Sequence, residues 1–218
     1  MKLKPFIERQ VYLHFNEYRS LYIFSAVLFF TGIIFGAIVV NSLSLTQRED
    51  LFVYLQQFFD QVGQGQFSSE GALFWQSFSY YAKYMGLMFI LGLSVIGSPL
   101  ILLLLFLKGL TVGFTVGFLV NQLGVVGFSL SLVSVLPQNL IIVPILIVVS
   151  VLSVAFSLRL IRQQFIKVSG QQEAIFPIFV RMCIVMVIAL VFVVIAALIE
   201  AFISPLFLEW VVDWHSGS

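Results

Sequence analysis

The sequence predicts an all-α, polytopic integral membrane protein of about five transmembrane helices, with a short re-entrant or interfacial segment and an external amphipathic helix. Two observations carry this expectation. Of 218 residues, 61% are hydrophobic and only 10% are charged, with a mean hydropathy of +1.09; soluble domains carry roughly 25% charged residues to cover their surface. The few charges are also bunched, leaving apolar runs long enough to cross a hydrocarbon core of about 30 Å as helices of about 20 residues.

Charge-free runs place the spans, because a charged side chain at the bilayer centre costs about 2.5 to 3.5 kcal/mol even on the mildest insertion scale. The run between Arg19 and Arg48 holds LYIFSAVLFFTGIIFGAIVVNS and predicts a first span at about 20–41. Beyond it, Thr46 and Glu49 have capping-box spacing, in which each side chain satisfies an amide at a helix start. Leu51, Leu55, Phe58, Phe59 and Val62 then recur at helical spacing, predicting an amphipathic helix that ends at Gly63 or Gly65. Its apolar stripe packs on the membrane or the bundle, or serves as a docking face for an external partner together with Trp210.

Lys83 and Lys108 enclose 24 uncharged residues, interrupted by Gly97, Ser98 and Pro99. Pro99 has no amide donor and biases Ser98 away from helical geometry, so spans are expected at about 70–97 and 99–120, with a break at Lys108 as the competing division. The next 50 residues, up to Arg159, exceed two spans. They break at Gly124 to Gly127 and again near Pro137. The intervening FSLSLVSVL is too short to cross, so it is re-entrant or interfacial. A fourth span follows at about 137–160 and a fifth at about 178–203. No repeat or linker divides the chain, which reads as one membrane domain over 1–218.

Basic residues orient the bundle. Lys2, Lys4, Arg9, Arg19, Arg159, Arg162, Lys167 and Arg181 fall on one side of a five-span arrangement, whereas Arg48 and Lys83 fall on the other. This predicts a cytoplasmic N-terminus and an extracytoplasmic C-terminus. The basic N-terminal stretch followed by an apolar run resembles a signal peptide, but the run is too long and lacks an A-x-A site, which favours an uncleaved first span.

Catalysis at bilayer depth needs positioned nucleophiles, acids or metal ligands. The predicted spans contain no histidine or aspartate, so a Ser-His protease lacks its base, a di-aspartate protease its carboxylates and a zinc protease its H-E-x-x-H. The two histidines, His14 and His215, lie near opposite ends, and the lone Cys183 has no intrachain disulfide partner. No enzyme activity, metal or cofactor is expected. A net charge of +1 carries no footprint of a nucleic-acid partner.

Packing and polar features remain. Gly109, Gly113 and Gly117 repeat every four residues along one helix face, and Gly32 with Gly36 forms a second small face. Such faces let membrane helices approach closely, within the chain or in a homo-oligomer. Glu200 is the one acidic residue deep in an apolar run, and Pro137, Gln138 and Asn139 form the other polar point. Glu200 is expected to approach the Gln138/Asn139 pair, because an intramembrane carboxylate seeks a polar partner rather than lipid.

The stretches LYIFSAVLFFTGIIFGAIVVNS, FLKGLTVGFTVGFLVNQLG, SVLPQNLIIVP and AALIEAFISP resemble the stage II sporulation protein M family of polytopic membrane proteins. Many broader relatives carry Pro-His-Gly and a nearby Glu where this chain has Pro137, Gln138, Asn139 and Leu140, a departure that fits the sporulation branch. The resemblance implies a non-enzymatic scaffold of the bacterial cell membrane that acts in forespore engulfment. It implies stage II sporulation proteins P and D as partners, recruited for septal peptidoglycan degradation, besides membrane lipid. The alternative is a transporter or permease subunit with a polar site at its broken helices.

Overall fold

The computed structural model describes residues 15–63, 70–165 and 175–203, and all regular structure among them is helical. In chain order the elements are α1 (Arg19–Asn41), α2 (Leu45–Gly63), α3 (Glu70–Gly92), α4 (Gly97–Leu123), α5 (Val125–Ser134), α6 (Leu136–Phe165), α7 (Ile175–Leu198) and a π-helical turn (Ile199–Ile203). Four helical stretches are long and apolar enough to cross a membrane: Arg19–Asn41, Gly97–Leu123, Leu136–Gln163 and Phe176–Phe202. The protein is an all-α polytopic membrane protein. The predicted second span, α3, has the length of a span at 23 residues and packs against α4, α6 and α7, but it falls short of the apolarity of the other four, so four of the five expected spans are long and apolar enough to cross.

The core lies where α1, α3, α4, α6 and α7 meet. Phe29, Tyr81, Met85, Met88, Ile101, Leu105, Ile142, Leu146 and Val193 are withdrawn from the surface there. Helix α6 is central. Ser150, Ser153 and Ser157 line it with small side chains, and a Cβ on Gly92 of α3 would sit 2.8 Å from the Ser153 Cβ. Small residues at such crossings let dispersion contacts hold helices together where the hydrophobic effect between lipid-like surfaces is absent. Pro144, inside α6, removes one amide donor from the helix ladder.

Two boundaries differ from expectation. Helix α3 ends at Gly92 rather than near residue 97, while Lys108 lies within α4 as expected and the competing break there does not occur. The turn at 93–96 forms because Gly97 packs onto the end of α3, where a Cβ would lie 1.6 Å from the Leu91 carbonyl oxygen. Pro99 then falls in the first turn of α4, where no amide donor is needed. Ser157 Oγ donates to the Ser94 carbonyl oxygen at 2.7 Å and ties this turn to α6.

The capping box also shifts, from Thr46 and Glu49 to Ser44 and Gln47. The Ser44 amide donates to Gln47 Oε1 at 3.0 Å and the Gln47 amide to Ser44 Oγ at 3.3 Å. Helix α1 stops at Asn41, so α2 starts as soon as a capping side chain becomes available. The fifth expected span ends at Ile203 as read from the sequence, its final turn widening into the π-helical Ile199–Ile203. Helix α4 closes at Gly124, whose φ of +60° is the only positive value among the described residues and suits a residue without Cβ. The short α5 then packs against α4 and α6, with Gly127 placed where a Cβ would lie 1.9 Å from the Leu119 carbonyl oxygen.

Candidate functional site

Polar side chains from four elements converge inside this apolar bundle. Lys108 is the only charge in α4 and is 6% exposed. Its Nζ lies 5.0 Å from the centre of the Tyr80 ring and 4.9 Å from that of Tyr81, both on α3. Aromatic faces stabilise a desolvated ammonium by about 2 kcal/mol. Glu200, on the π-helical turn, is close enough to Lys108 and Tyr81 to interact electrostatically, with the Ser77 hydroxyl of α3 in hydrogen-bonding reach. From the first turn of α6, the Gln138 amide lies against the Glu200 carboxylate, and in the orientation that satisfies both groups its nitrogen donates to Oε1 at 2.9 Å and also to Oε2. Helix α3 is fixed to α4 by a further bond, from the Tyr84 hydroxyl to the Leu104 carbonyl oxygen.

The arrangement gives each buried charge polar neighbours rather than lipid, as intramembrane ionisable groups require. It braces α3, α4, α6 and the end of α7 against one another. Glu200 reaches Gln138 but not Asn139, a correction to the expected pair. Neighbouring residues on a helix point about 100° apart, so both cannot face one carboxylate. Asn139 instead donates to the Val135 carbonyl oxygen at 2.6 Å and borders a large apolar cleft. That cleft, about 940 Å³, runs between α1, α4, α5, α6 and α7 from Tyr22 and Arg181 to Phe128. Pro137 sits in the first turn of α6, in the position that tolerates a missing donor.

The two glycine faces meet each other. A Cβ on Gly32 would lie 2.4 Å from the Phe106 carbonyl oxygen and one on Gly36 2.1 Å from that of Leu110, both in α4. Reciprocally, Gly109 and Gly113 approach the Phe29 and Ile33 carbonyl oxygens of α1 at 2.2 and 2.0 Å on the same measure, and Gly117 approaches Ala37. The seam is capped by Asn121, whose Nδ2 donates to Asn41 Oδ1 at 3.4 Å.

On α2, Leu51 and Leu55 are half-buried, and Arg48 ties the helix to the end of α1 by donating to the Asn41 carbonyl oxygen at 3.0 Å. The side chains of Phe58 and Phe59, and all of Trp210, lie outside the described residues. At the opposite end of the bundle, Arg159 of α6 donates to Glu17 Oε1 at 2.7 Å and to the Tyr18 hydroxyl. Burial raises the Tyr18 phenol above the usual tyrosine value, with Glu17 adding to the shift and Arg159 opposing it.

Sequence reasoning singled out Glu200 and Gln138 but missed Ser77, Tyr80, Tyr81 and Lys108 as their companions. The available signal was the i, i+3, i+4 spacing of Ser77, Tyr80 and Tyr81, together with a lone lysine in an otherwise apolar helix. No group of three or more His, Cys, Asp or Glu that could hold a metal occurs among the described residues. In comparisons with known proteins, a family model described as stage II sporulation protein M matches residues 25–205. No curated protein and no solved structure matches the chain.

Proposed function

The chain belongs to the stage II sporulation protein M family and is a sporulation-related membrane protein, and from that premise we propose that it is a non-catalytic scaffold of forespore engulfment. In this reading it recruits or organises peptidoglycan-degrading sporulation proteins, P and D, at the septal and engulfing membrane. The N-terminus is cytoplasmic and the C-terminus extracytoplasmic, in keeping with the eight basic residues on one side. The hydrolytic chemistry belongs to the partners.

The family match carries the sporulation part. The geometry supports the non-catalytic part, because the strongest polar constellation is engaged in bracing helices. Lys108 lies against two tyrosine faces and Glu200 is held by Gln138, so both are engaged in holding helices together. The test is recovery of the full-length protein from sporulating cells in gentle detergent. Co-purification of a peptidoglycan hydrolase with a membrane anchor is the expected result, and its consistent absence overturns the scaffold. Broken helices facing polar groups also build transport sites, so solute uptake into vesicles holding the purified protein would replace this reading with the transporter one.

A further inference from the structure

Leu136, Leu140, Pro144, Val148 and Leu152 recur every four residues along one face of α6, and all border the cleft of about 940 Å³. Helix α6 is its floor, α1, α4 and α5 pack together as one wall, and α7 forms the other. From Leu136 to Leu152 the floor is about 24 Å long at 1.5 Å per residue. A helix is about 10 Å across with its side chains, so a piece of that length would displace about 1,900 Å³, twice the cleft. A second copy or a partner helix could therefore bed only one side in it. Hydrocarbon chains, thin and flexible, fit its shape and its apolar lining.

The two ends of the cleft differ. Toward one, Ser131 and Asn139 turn their donors onto their own stretch of chain, to the Phe128 and Val135 carbonyl oxygens. At the other stand Tyr22 and the exposed Arg181. The Phe176–Phe202 stretch is about 40 Å long as a helix, about 10 Å more than the hydrocarbon core, and Arg181 lies about 8 Å inside its start. Its long side chain reaches the interface from there. Tyr22, about 5 Å inside the start of α1, takes the position of an aromatic-belt residue. The cleft thus opens among headgroups at its Arg181 end and runs into hydrocarbon. Arg19, Arg159 and Arg162 lie at the same end of the bundle, where Arg159 bonds to Glu17 and Tyr18 beside Arg19.

We propose that this cleft is a binding site for an anionic phospholipid, whose phosphate is held by Arg181 and whose acyl chains lie along α6 over Val148 and Leu152. A guanidinium presents a planar fork of N–H donors, enough for two phosphate oxygens alongside a contact within the protein. The arginines gathered at this end make the local potential positive, so a headgroup of net negative charge binds better than a zwitterion carrying the same phosphate. The site goes beyond the scaffold reading and does not depend on it.

The test is photocrosslinking of the full-length protein in phosphatidylcholine vesicles. These contain, at equal mole fraction, either phosphatidylglycerol or phosphatidylcholine with a diazirine midway along one acyl chain. Mass spectrometry of the crosslinked peptides should place the label between Ile147 and Leu152 of α6 and at Val185 of α7. The phosphatidylglycerol probe should label these positions about three- to tenfold more than the phosphatidylcholine probe. Arg181→Gln should remove that preference, and Arg181→Lys, which keeps a point charge, should retain part of it. The phosphatidylcholine probe should label wild type and Arg181→Gln equally, because the apolar floor is unchanged. Equal labelling of the wild type by the two probes overturns the proposal, as does a preference that survives Arg181→Gln. Labelling confined to the outer faces of the bundle also overturns it, since the cleft then has another occupant. If Arg181→Gln lowers labelling by both probes alike, Arg181 holds helices rather than a headgroup, and the proposal fails.

Discussion

Gly113 of α4 sits against the Ile33 carbonyl of α1 so closely that a Cβ there would lie 2.0 Å from the oxygen. Gly36 makes the reciprocal approach to the Leu110 carbonyl of α4. No side chain fits without separating the two helices along the whole seam. Gly113→Ala and Gly36→Ala should each destabilise the bundle by about 1 to 3 kcal/mol, the range of overpacking. Gly86→Ala, with nothing within 4 Å of the added carbon, should stay within about 0.5 kcal/mol of wild type. Reversible unfolding in mixed micelles measures all three. Equal effects at Gly113 and Gly86 would contradict the glycine seam.

The Gln138–Glu200 contact predicts coupling that Asn139 lacks. In double-mutant cycles, Gln138→Leu with Glu200→Gln should show an interaction energy of about 0.5 to 1.5 kcal/mol. Asn139→Leu with Glu200→Gln should be additive within about 0.5 kcal/mol. Strong coupling to Asn139 would mean that the first turn of α6 faces the carboxylate differently.

Lys108 is held by ring faces, so chemistry at the tyrosine edge should matter less than the ring itself. Tyr81→Phe keeps a face over the ammonium and should be tolerated. Tyr81→Leu should cost about 1 to 3 kcal/mol, combining lost packing with the lost cation–π contact. Thermal unfolding of both variants in detergent distinguishes them, and indifference to Tyr81→Leu would remove the rings from the account of Lys108.

The orientation read from basic residues predicts a labelling pattern. In a Cys183→Ser background, Asp60→Cys and Trp210→Cys should react with a membrane-impermeant maleimide on intact protoplasts. Gly170→Cys should react only after permeabilisation. The reverse pattern would invert the bundle.

Much of this architecture is legible in one dimension because a bilayer punishes unsatisfied charge and backbone so strongly. The apolar runs containing LYIFSAVLFF and IVVSVLSVAF correspond to α1 and α6, and the fifth predicted span corresponds to α7 with its π-helical end. The break near Pro99 was visible too, though its exact place was not. Gly97 ends the turn by packing on Leu91, a contact between residues that composition cannot pair. Ser44 and Thr46 both satisfy a capping pattern locally, and the stop of α1 at Asn41 selected Ser44.

Composition and the spacing of charges alone determined that this is a helical membrane protein, located the four stretches apolar enough to cross while adding a fifth that is not, and showed that small faces and a lone deep carboxylate needed partners. Helical periodicity names the residues on a face but not what the face meets. Only the tertiary structure paired the Gly32/Gly36 face with Gly109/Gly113/Gly117, because that depends on which helices become neighbours. It likewise chose Gln138 over Asn139 for Glu200, since two residues about 100° apart on α6 cannot both point to one carboxylate. Finally, it turned Tyr81 inward toward Lys108 while leaving Lys83 of the same helix facing out, a division set by the single face that α3 offers the core.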